Sequence, residues 1–406
     1  MQGILSGLRV VEGSAFVAAP LGGMTLAQMG AEVIRFDPVG GGLDYRRWPL
    51  SEDGESLYWT GLNKGKKSVQ IDITSEAGQE LATDLITAPG SEAGIFLTNF
   101  PAKGWLAYER LRERRDDLIM VNVIGHHDGS TAVDYTVNAM VGFPYATGSP
   151  DTTAPVNSVI PAWDGMCGLS AATAALAAER HRRKTGAGQY ISIALSDVAM
   201  AYAGALGHLA EYEVNGEERP RLGNYLFGAF GRDFETRDGE RLILIAISPS
   251  QWKRLVQTTD IADKLPLIER ALGLDFAKEG DRFKARQTLA ALIEPWVAAR
   301  TLSECRAALD EAGVLWGPYQ TFGGLMDNDS RASTANPMFA EIDQPGIGRY
   351  RVPGSPFGFS APGRLPPQPA PLLGEHTTEI LASVLGMEER AIAELFEGQV
   401  VAGPPR

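Results

Sequence analysis

The sequence predicts an α/β protein built on a parallel sheet, with a second, smaller domain carried in the middle of the chain. Three observations predict it. Five short apolar runs in the first 125 residues are each separated by helical patterns, the mark of strands buried on both faces. One alanine-rich segment after Asp164 is long enough to be the main helix. From Ser330 the chain turns rich in proline and glycine before a last helix begins.

Taken in order, "LRVVE" (Leu8 to Glu12) reads as a buried strand and "PLGGMTLAQMG" (Pro20 to Gly30) as a helix stopped by glycine. "EVIRFD" (Glu32 to Asp37) and "SVQIDI" (Ser68 to Ile73) are the second and third strands. The helical "AGQELATDLI" then leads to "AGIFLTNF" (Ala93 to Phe100) and "LIMVNVIG" (Leu118 to Gly125). The long helix ends near "KTGAGQ", where Gly186 and Gly188 supply the stop, and "YISIAL" returns to the sheet ahead of another helix from Ser196. The polar "EVNGEERPRL" marks a crossing into the small domain. That domain holds the strand "RLILIAIS" (Arg241 to Ser248), several helices and an edge-like "GVLWGPYQT" (Gly313 to Thr321). The boundaries expected are 1–214 for the first part of the large domain, 215–329 for the small one and 330–406 for the return. The proline-rich return is expected to run over a surface, and the last helix to start near His376.

Composition narrows the function. The 406 residues carry a net charge of −13, with no basic footprint of a nucleic-acid binder. No apolar run spans a membrane and the N-terminus lacks a secretory pattern, which with only two cysteines, Cys167 and Cys305, predicts a cytoplasmic protein. Three basic clusters, "DYRRW", "NKGKK" and "AERHRRKTG", read as solvated faces. The five histidines show no metal-ligand spacing, so no metal is expected. Neither a G-x-G-x-x-G turn, a Walker loop nor a G-x-S-x-G elbow is present, and Cys167 sits in an apolar helix.

Asp164 remains. Aspartate is a good helix N-cap, accepting from unpaired backbone N–H groups. The same placement suits a nucleophilic carboxylate kept ionised by the helix N-terminus, with Gly165 and Gly168 leaving room for an acyl group. An aspartate that attacks a thioester forms a mixed anhydride. The residue types allow both readings.

Seven motifs in order resemble the class III CoA transferases: "LSGLRVVEG", "AQMGAEVIRFDPVGGG", "LNKGKKSVQIDI", "TNFPAKG", "WDGMCG", "AAERHRRKTGAGQ" and "PLLGEHTTEIL". The resemblance implies a Rossmann-like large domain that binds CoA, a smaller α+β domain, and a homodimer of interlocked rings. It makes Asp164 the nucleophile and Gly165 a candidate oxyanion donor. It implies CoA or substrate contacts at Ala18, Ile71, Asp72, Ile73, Thr74, Asn99, Phe100, Lys103 and Tyr135, although Ile71 and Phe100 also suit a core and Tyr135 a packed aromatic. No cofactor is implied beyond coenzyme A as part of the substrate. A closer likeness within the family, carried by "DYTVN", "RLGNYLFGAFGRDFET" and "NPMFAEIDQPGIG", implies the CoA thioester of a C5 unsaturated dicarboxylic acid and transfer within one molecule. Intermolecular transfer to another diacid, and α-methylacyl-CoA racemisation, stay open as alternatives. Against the last, "VDYTVN" stands where racemases of this fold carry a histidine. Two further departures from the family are Pro38, where many members have a basic residue, and the missing glycine-rich lid.

Overall fold

In a computed structural model, which describes residues 3–405, the apolar runs become strands β1 (Arg9–Gly13), β2 (Glu32–Asp37), β3 (Lys67–Ile71), β4 (Ile95–Thr98), β5 (Ile119–Ile124) and β6 (Gln189–Ala194). All six are parallel, in the order β3-β2-β1-β4-β5-β6. The connecting helices are α1 (Ala18–Gln28), α2 (Leu57–Leu62), α3 (Glu76–Thr87), α4 (Tyr108–Arg114), α5 (Asp134–Met140), α6 (Phe143–Ala146), α7 (Ala162–Thr185) and α8 (Leu195–Ala205). Parallel strands need cover on both faces, and the consecutive pairs Val33–Ile34, Phe96–Leu97 and Met120–Val121, whose side chains point to opposite faces, are all buried.

The small residues of α7 have a packing purpose. Ala171, Ala172, Ala175 and Ala178 are buried, and a Cβ on Gly168 would stand 2.5 Å from the Ala18 carbonyl oxygen. Helices α1 and α7 therefore touch backbone to backbone, which brings the loop after β1 to the start of α7. The expected stop is present: Gly186 is left-handed at φ 74° and donates its N–H to the Arg182 carbonyl. Arg182 is no solvated cation. It is buried and donates to the Ala93 and Gly94 carbonyls.

The chain divides into two compact units, one of Met1–Val141, Ser158–Leu209 and Ser330–Arg406, the other of Gly142–Asn157 and Ala210–Asp329. The second unit holds an antiparallel sheet of β7 (Phe230–Glu235), β8 (Arg241–Ala246) and β9 (Leu315–Pro318), with β9 at the edge as its sequence suggests. Its core gathers Phe230, Leu244, Trp252 and Leu289. The segment 142–157 joins this unit because Arg221 donates to the carbonyls of Tyr145, Thr152 and Ala154. No local pattern in 142–157 announces that.

The return after Ser330 departs from expectation. It forms a hairpin of β10 (Phe339–Gln344) and β11 (Gly348–Pro353), whose turn places Gly346 at φ 77°. The alternation in "FAEIDQ" is a strand period that the surrounding prolines disguise. Further on, Ala370 and Leu373 bury themselves against Trp59. Helices Thr377–Ser383 and Glu389–Glu397 follow, and β12 (Val401–Ala402) adds to the sheet antiparallel to β3. Among the described residues no helix is long and apolar enough to cross a membrane, and no group of three or more His, Cys, Asp or Glu side chains could hold a metal ion.

Candidate active site

The strand order reverses between β1 and β4, and in open α/β sheets ligands bind beyond the carboxyl ends at such a point. Here Asn99, just after β4, grips the loop that follows β1. Its Nδ2 donates to the Ala15 carbonyl (2.7 Å) and its Oδ1 accepts the Ala15 N–H (2.9 Å). The next residue, Phe16, is left-handed at φ 66°, a rare conformation for a bulky residue. Its N–H donates to Asp44 Oδ2 at 3.1 Å.

Below this loop lies a buried charge cluster. Arg35 pairs with Asp37 (2.8 Å), Asp44 (3.2 Å) and Glu12 (3.5 Å), and Lys66 pairs with Glu12 (2.8 Å). Lys66 also donates to Asn63 Oδ1 and the Pro20 carbonyl. The "NKGKK" stretch is thus not a solvated face, as expected from its charge. Lys64 is buried too, with the Gly61 carbonyl as acceptor and, among the described residues, no carboxylate within ion-pair distance, and burial pushes its ammonium pKa down to about 8. "DYRRW" divides: Asp44 points inward, while Arg47 and Trp48 are exposed.

Asp164 is not the cap of α7. Pro161 occupies the N-cap, which leaves Asp164 in the first turn. The orphan N–H groups of Trp163 (2.7 Å) and Asp164 (3.0 Å) go instead to Oδ2 of buried Asp134, at the start of α5. Gly165 N–H donates to the Pro161 carbonyl. That bond removes Gly165 from the candidate oxyanion donors. The Asp164 carboxylate is consequently relieved of capping, and no donor among the described residues hydrogen-bonds it.

Its electrostatics also depart from expectation. Burial, reinforced by the Asp134 charge and opposed by Arg47, raises the Asp164 pKa to about 7. Cys167, one turn on, is pushed up to about 12, first by burial and then by Asp164, so it stays a thiol. The glycines expected to make room differ. A Cβ at Gly165 meets nothing within 4 Å, whereas Gly168 is filled by α1.

Arg47 stands near this carboxylate with its Cζ 5.5 Å from the Phe16 ring and 5.3 Å from the Tyr58 ring. Among the described residues its guanidinium has no ion pair or hydrogen bond. Tyr58 interacts with Arg47, Asp164, Asp44 and Tyr135, and burial is the main reason its phenol pKa rises to about 12. Asp164, Arg47, Tyr58, Asp134 and Tyr135 form one electrostatic neighbourhood.

Of the other sequence candidates, Ala18 is buried as the first residue of α1, beside Gly168. Ile71 is fully buried in the sheet core, and Ile73 and Phe100 pack against that core, Phe100 edge-on to Phe36. Asp72 accepts from the N–H and hydroxyl of exposed Thr74 after β3, and Lys103 is exposed after β4. The latter three are polar groups on the carboxyl side of the sheet. Sequence reasoning missed Asp134, Phe16 and Tyr58, and took Asp44 and Arg47 for part of a solvated face.

The family model described as CoA-transferase family III matches residues 5–377. A 2-methylfumaryl-CoA isomerase from Chloroflexus aurantiacus is 57% identical over 407 residues, covering 100% of each chain. A succinyl-CoA:mesaconate CoA-transferase from Haloarcula marismortui is 30% identical, over 94% of this chain and 96% of its own. Among solved structures, a CAIB/BAIF family protein from Brucella suis matches with a TM-score of 0.76 at 26% identity, over 95% of this chain and 100% of that one.

Proposed function

The chain belongs to CoA-transferase family III, and from that premise we propose that it is an intramolecular CoA transferase converting 2-methylfumaryl-CoA to 3-methylfumaryl-CoA. The observation that carries the mechanism is a carboxylate at the mouth of α7 whose capping duty has passed to Asp134, so that no described residue hydrogen-bonds either of its oxygens.

Asp164 attacks the C1 thioester carbonyl; the C–S bond breaks, CoA leaves as thiolate, and a mesaconyl–aspartyl anhydride forms. The thiolate attacks the Asp164 carbonyl, the anhydride C–O bond breaks, and free mesaconate stands beside an aspartyl–CoA thioester. Mesaconate turns, and its C4 carboxylate attacks that thioester and expels thiolate again. Attack of the thiolate on the C4 acyl carbon regenerates the Asp164 carboxylate. Each step exchanges one acyl bond for another, so the cycle takes up no net proton or electron. Coenzyme A enters only as part of the substrate.

Arg47 suits the carboxylate that is idle at each stage, because an unpaired guanidinium beside the nucleophile attracts a second negative charge. Tyr58, protonated at neutral pH, offers an O–H to the developing oxyanion in place of Gly165 N–H. Asp72, Thr74 and Lys103 offer polar groups to the CoA portion, with Ala18, Ile71, Ile73, Asn99 and Phe100 shaping the loops that carry them, and Tyr135 lies on the acyl side.

The assembly in this reading is a homodimer of interlocked rings. Leu43, Trp48, Val159 and Ile160 in the larger unit are large, apolar and exposed, as such an interface needs. Cys167 and Cys305, both free and buried, fit a reducing cytoplasm.

Turnover of unlabelled 2-methylfumaryl-CoA in excess 13C-labelled free mesaconate tests the intramolecular reading. Product free of label supports it; label at the fraction set by the pool makes the enzyme an intermolecular transferase.

A further inference from the structure

We propose that Asp44 is a positioning residue for the transfer: by holding Phe16 in its left-handed conformation it fixes where the Arg47 guanidinium stands relative to Asp164. This rests on the reading of Asp164 as nucleophile and Arg47 as holder of the idle carboxylate.

The starting point is Phe16. A bulky residue at φ 66° is costly and persists only where its surroundings over-determine it. On one side Ala15 is gripped at both N and O by Asn99. On the other, the Phe16 N–H itself is taken by Asp44 Oδ2. A relaxed backbone at residue 16 would aim the ring elsewhere, and that ring is one of two surfaces under Arg47.

Asp44 acts on Arg47 by a second route. The Arg47 N–H donates to the Asp44 carbonyl at 3.1 Å, so one residue ties down both the arginine's backbone and its aromatic perch. The guanidinium has no ion pair or hydrogen bond among the described residues, so its place rests on the two rings, Phe16 and Tyr58. Asp44 itself is set from beneath, where Arg35 Nη2 donates to Oδ1 (3.2 Å) and Oδ2 (3.3 Å) while Asp37 and Glu12 hold Arg35. Asp44 is buried, with 1% of its surface exposed. The active-site loop is thereby anchored to the charge cluster beneath the sheet's end.

An asparagine tests this because its amide nitrogen must face one donor or another. With its oxygen toward Arg35 it turns an N–H toward the Phe16 N–H; reversed, it turns an N–H toward the guanidinium. The charged groups facing Asp164 are Asp134 from α5 and Arg47 from the loop, with Tyr58 and Cys167 as neutral neighbours. A displaced Arg47 would stop lowering the Asp164 pKa, moving the ascending limb of the rate profile to higher pH. Direct loss of a negative charge at residue 44 would move it lower. The sign therefore separates positioning from simple electrostatics.

The experiment measures kcat, KM and the pH profile of kcat/KM for Asp44→Asn, Arg47→Ala and the double variant, with Phe16→Gly as a fourth. Glycine takes φ 66° without strain and removes only the ring, so this variant stays folded if Asp44→Asn does not. The expected result is a KM increase of about tenfold or more in each single variant, as for loss of a charge-assisted contact, with the limb shifted upward. In the Arg47→Ala background, Asp44→Asn should add little to either effect. Independent, multiplying effects overturn the proposal. So does an unmoved or downward-shifted limb in both Asp44→Asn and Phe16→Gly. Full turnover in Asp164→Asn would instead remove the reading on which the proposal rests.

Discussion

Replacing Asp134 with asparagine should make the enzyme more active in mild acid. The nucleophile must be ionised, yet its pKa is about 7, with burial the larger cause and the neighbouring Asp134 charge the second. Asparagine keeps an oxygen that can accept the Trp163 and Asp164 N–H groups, so the start of α7 keeps its cap while the like charge disappears. Removing a like charge at such range lowers the pKa by roughly one unit, about 1.4 kcal/mol between the protonation states. At pH 6 the ionised fraction of Asp164 then rises from about one tenth to about one half, so kcat/KM should rise about fivefold, whereas well above pH 7 the two enzymes should converge. The assay is the pH profile of kcat/KM for both proteins at subsaturating substrate, with thermal unfolding as a check on folding. A wild-type limb far from 7, or one that the substitution leaves in place, would refute the electrostatic reasoning.

Arg47→Ala should raise KM about tenfold to a hundredfold and shift the ascending limb upward, which steady-state kinetics across pH will read. Gly168→Ala should destabilise the protein by about 1–3 kcal/mol in urea unfolding, because its Cβ meets the Ala18 carbonyl backbone at 2.5 Å. Gly165→Ala meets nothing within 4 Å, so stability should hold or rise by up to about 1 kcal/mol while kcat falls as the methyl enters the approach to Asp164. Lys64→Met should stabilise the protein at pH 7 by about 2 kcal/mol, the cost of a buried unpaired cation less its hydrogen bond. Because the folded pKa of Lys64 lies near 8, below the unfolded value of about 10.4, wild-type stability should climb with pH through that window and the difference should shrink.

The parallel strands were legible because burial on both faces leaves an unbroken apolar run: "EVIRFD" matches β2 residue for residue. The main helix and its glycine stop were equally plain. Hairpin β10–β11 was not, since prolines on either side hid a short alternation, and the two-residue β12 is too short to carry any pattern. Asp164 stood out by its place before the alanine run, but its surroundings did not. Asp134 caps a helix that begins 28 residues later, and no local motif encodes a cap supplied from a distance. The same holds for Arg47 on Phe16 and Tyr58, a stack assembled from three separate stretches. Lys66 looked solvated because the partner that admits it to the interior, Glu12, lies 54 residues away.

The central claim, that Asp164 carries first the acyl group and then CoA, is tested most directly by mass spectrometry of the peptide containing Asp164 after quenching during turnover, with hydroxylamine as the trap. The account predicts a hydroxamate on Asp164 under hydroxylamine, a CoA adduct on that residue without it, and neither in Asp164→Asn. Full turnover with Asp164 unmodified throughout would contradict it.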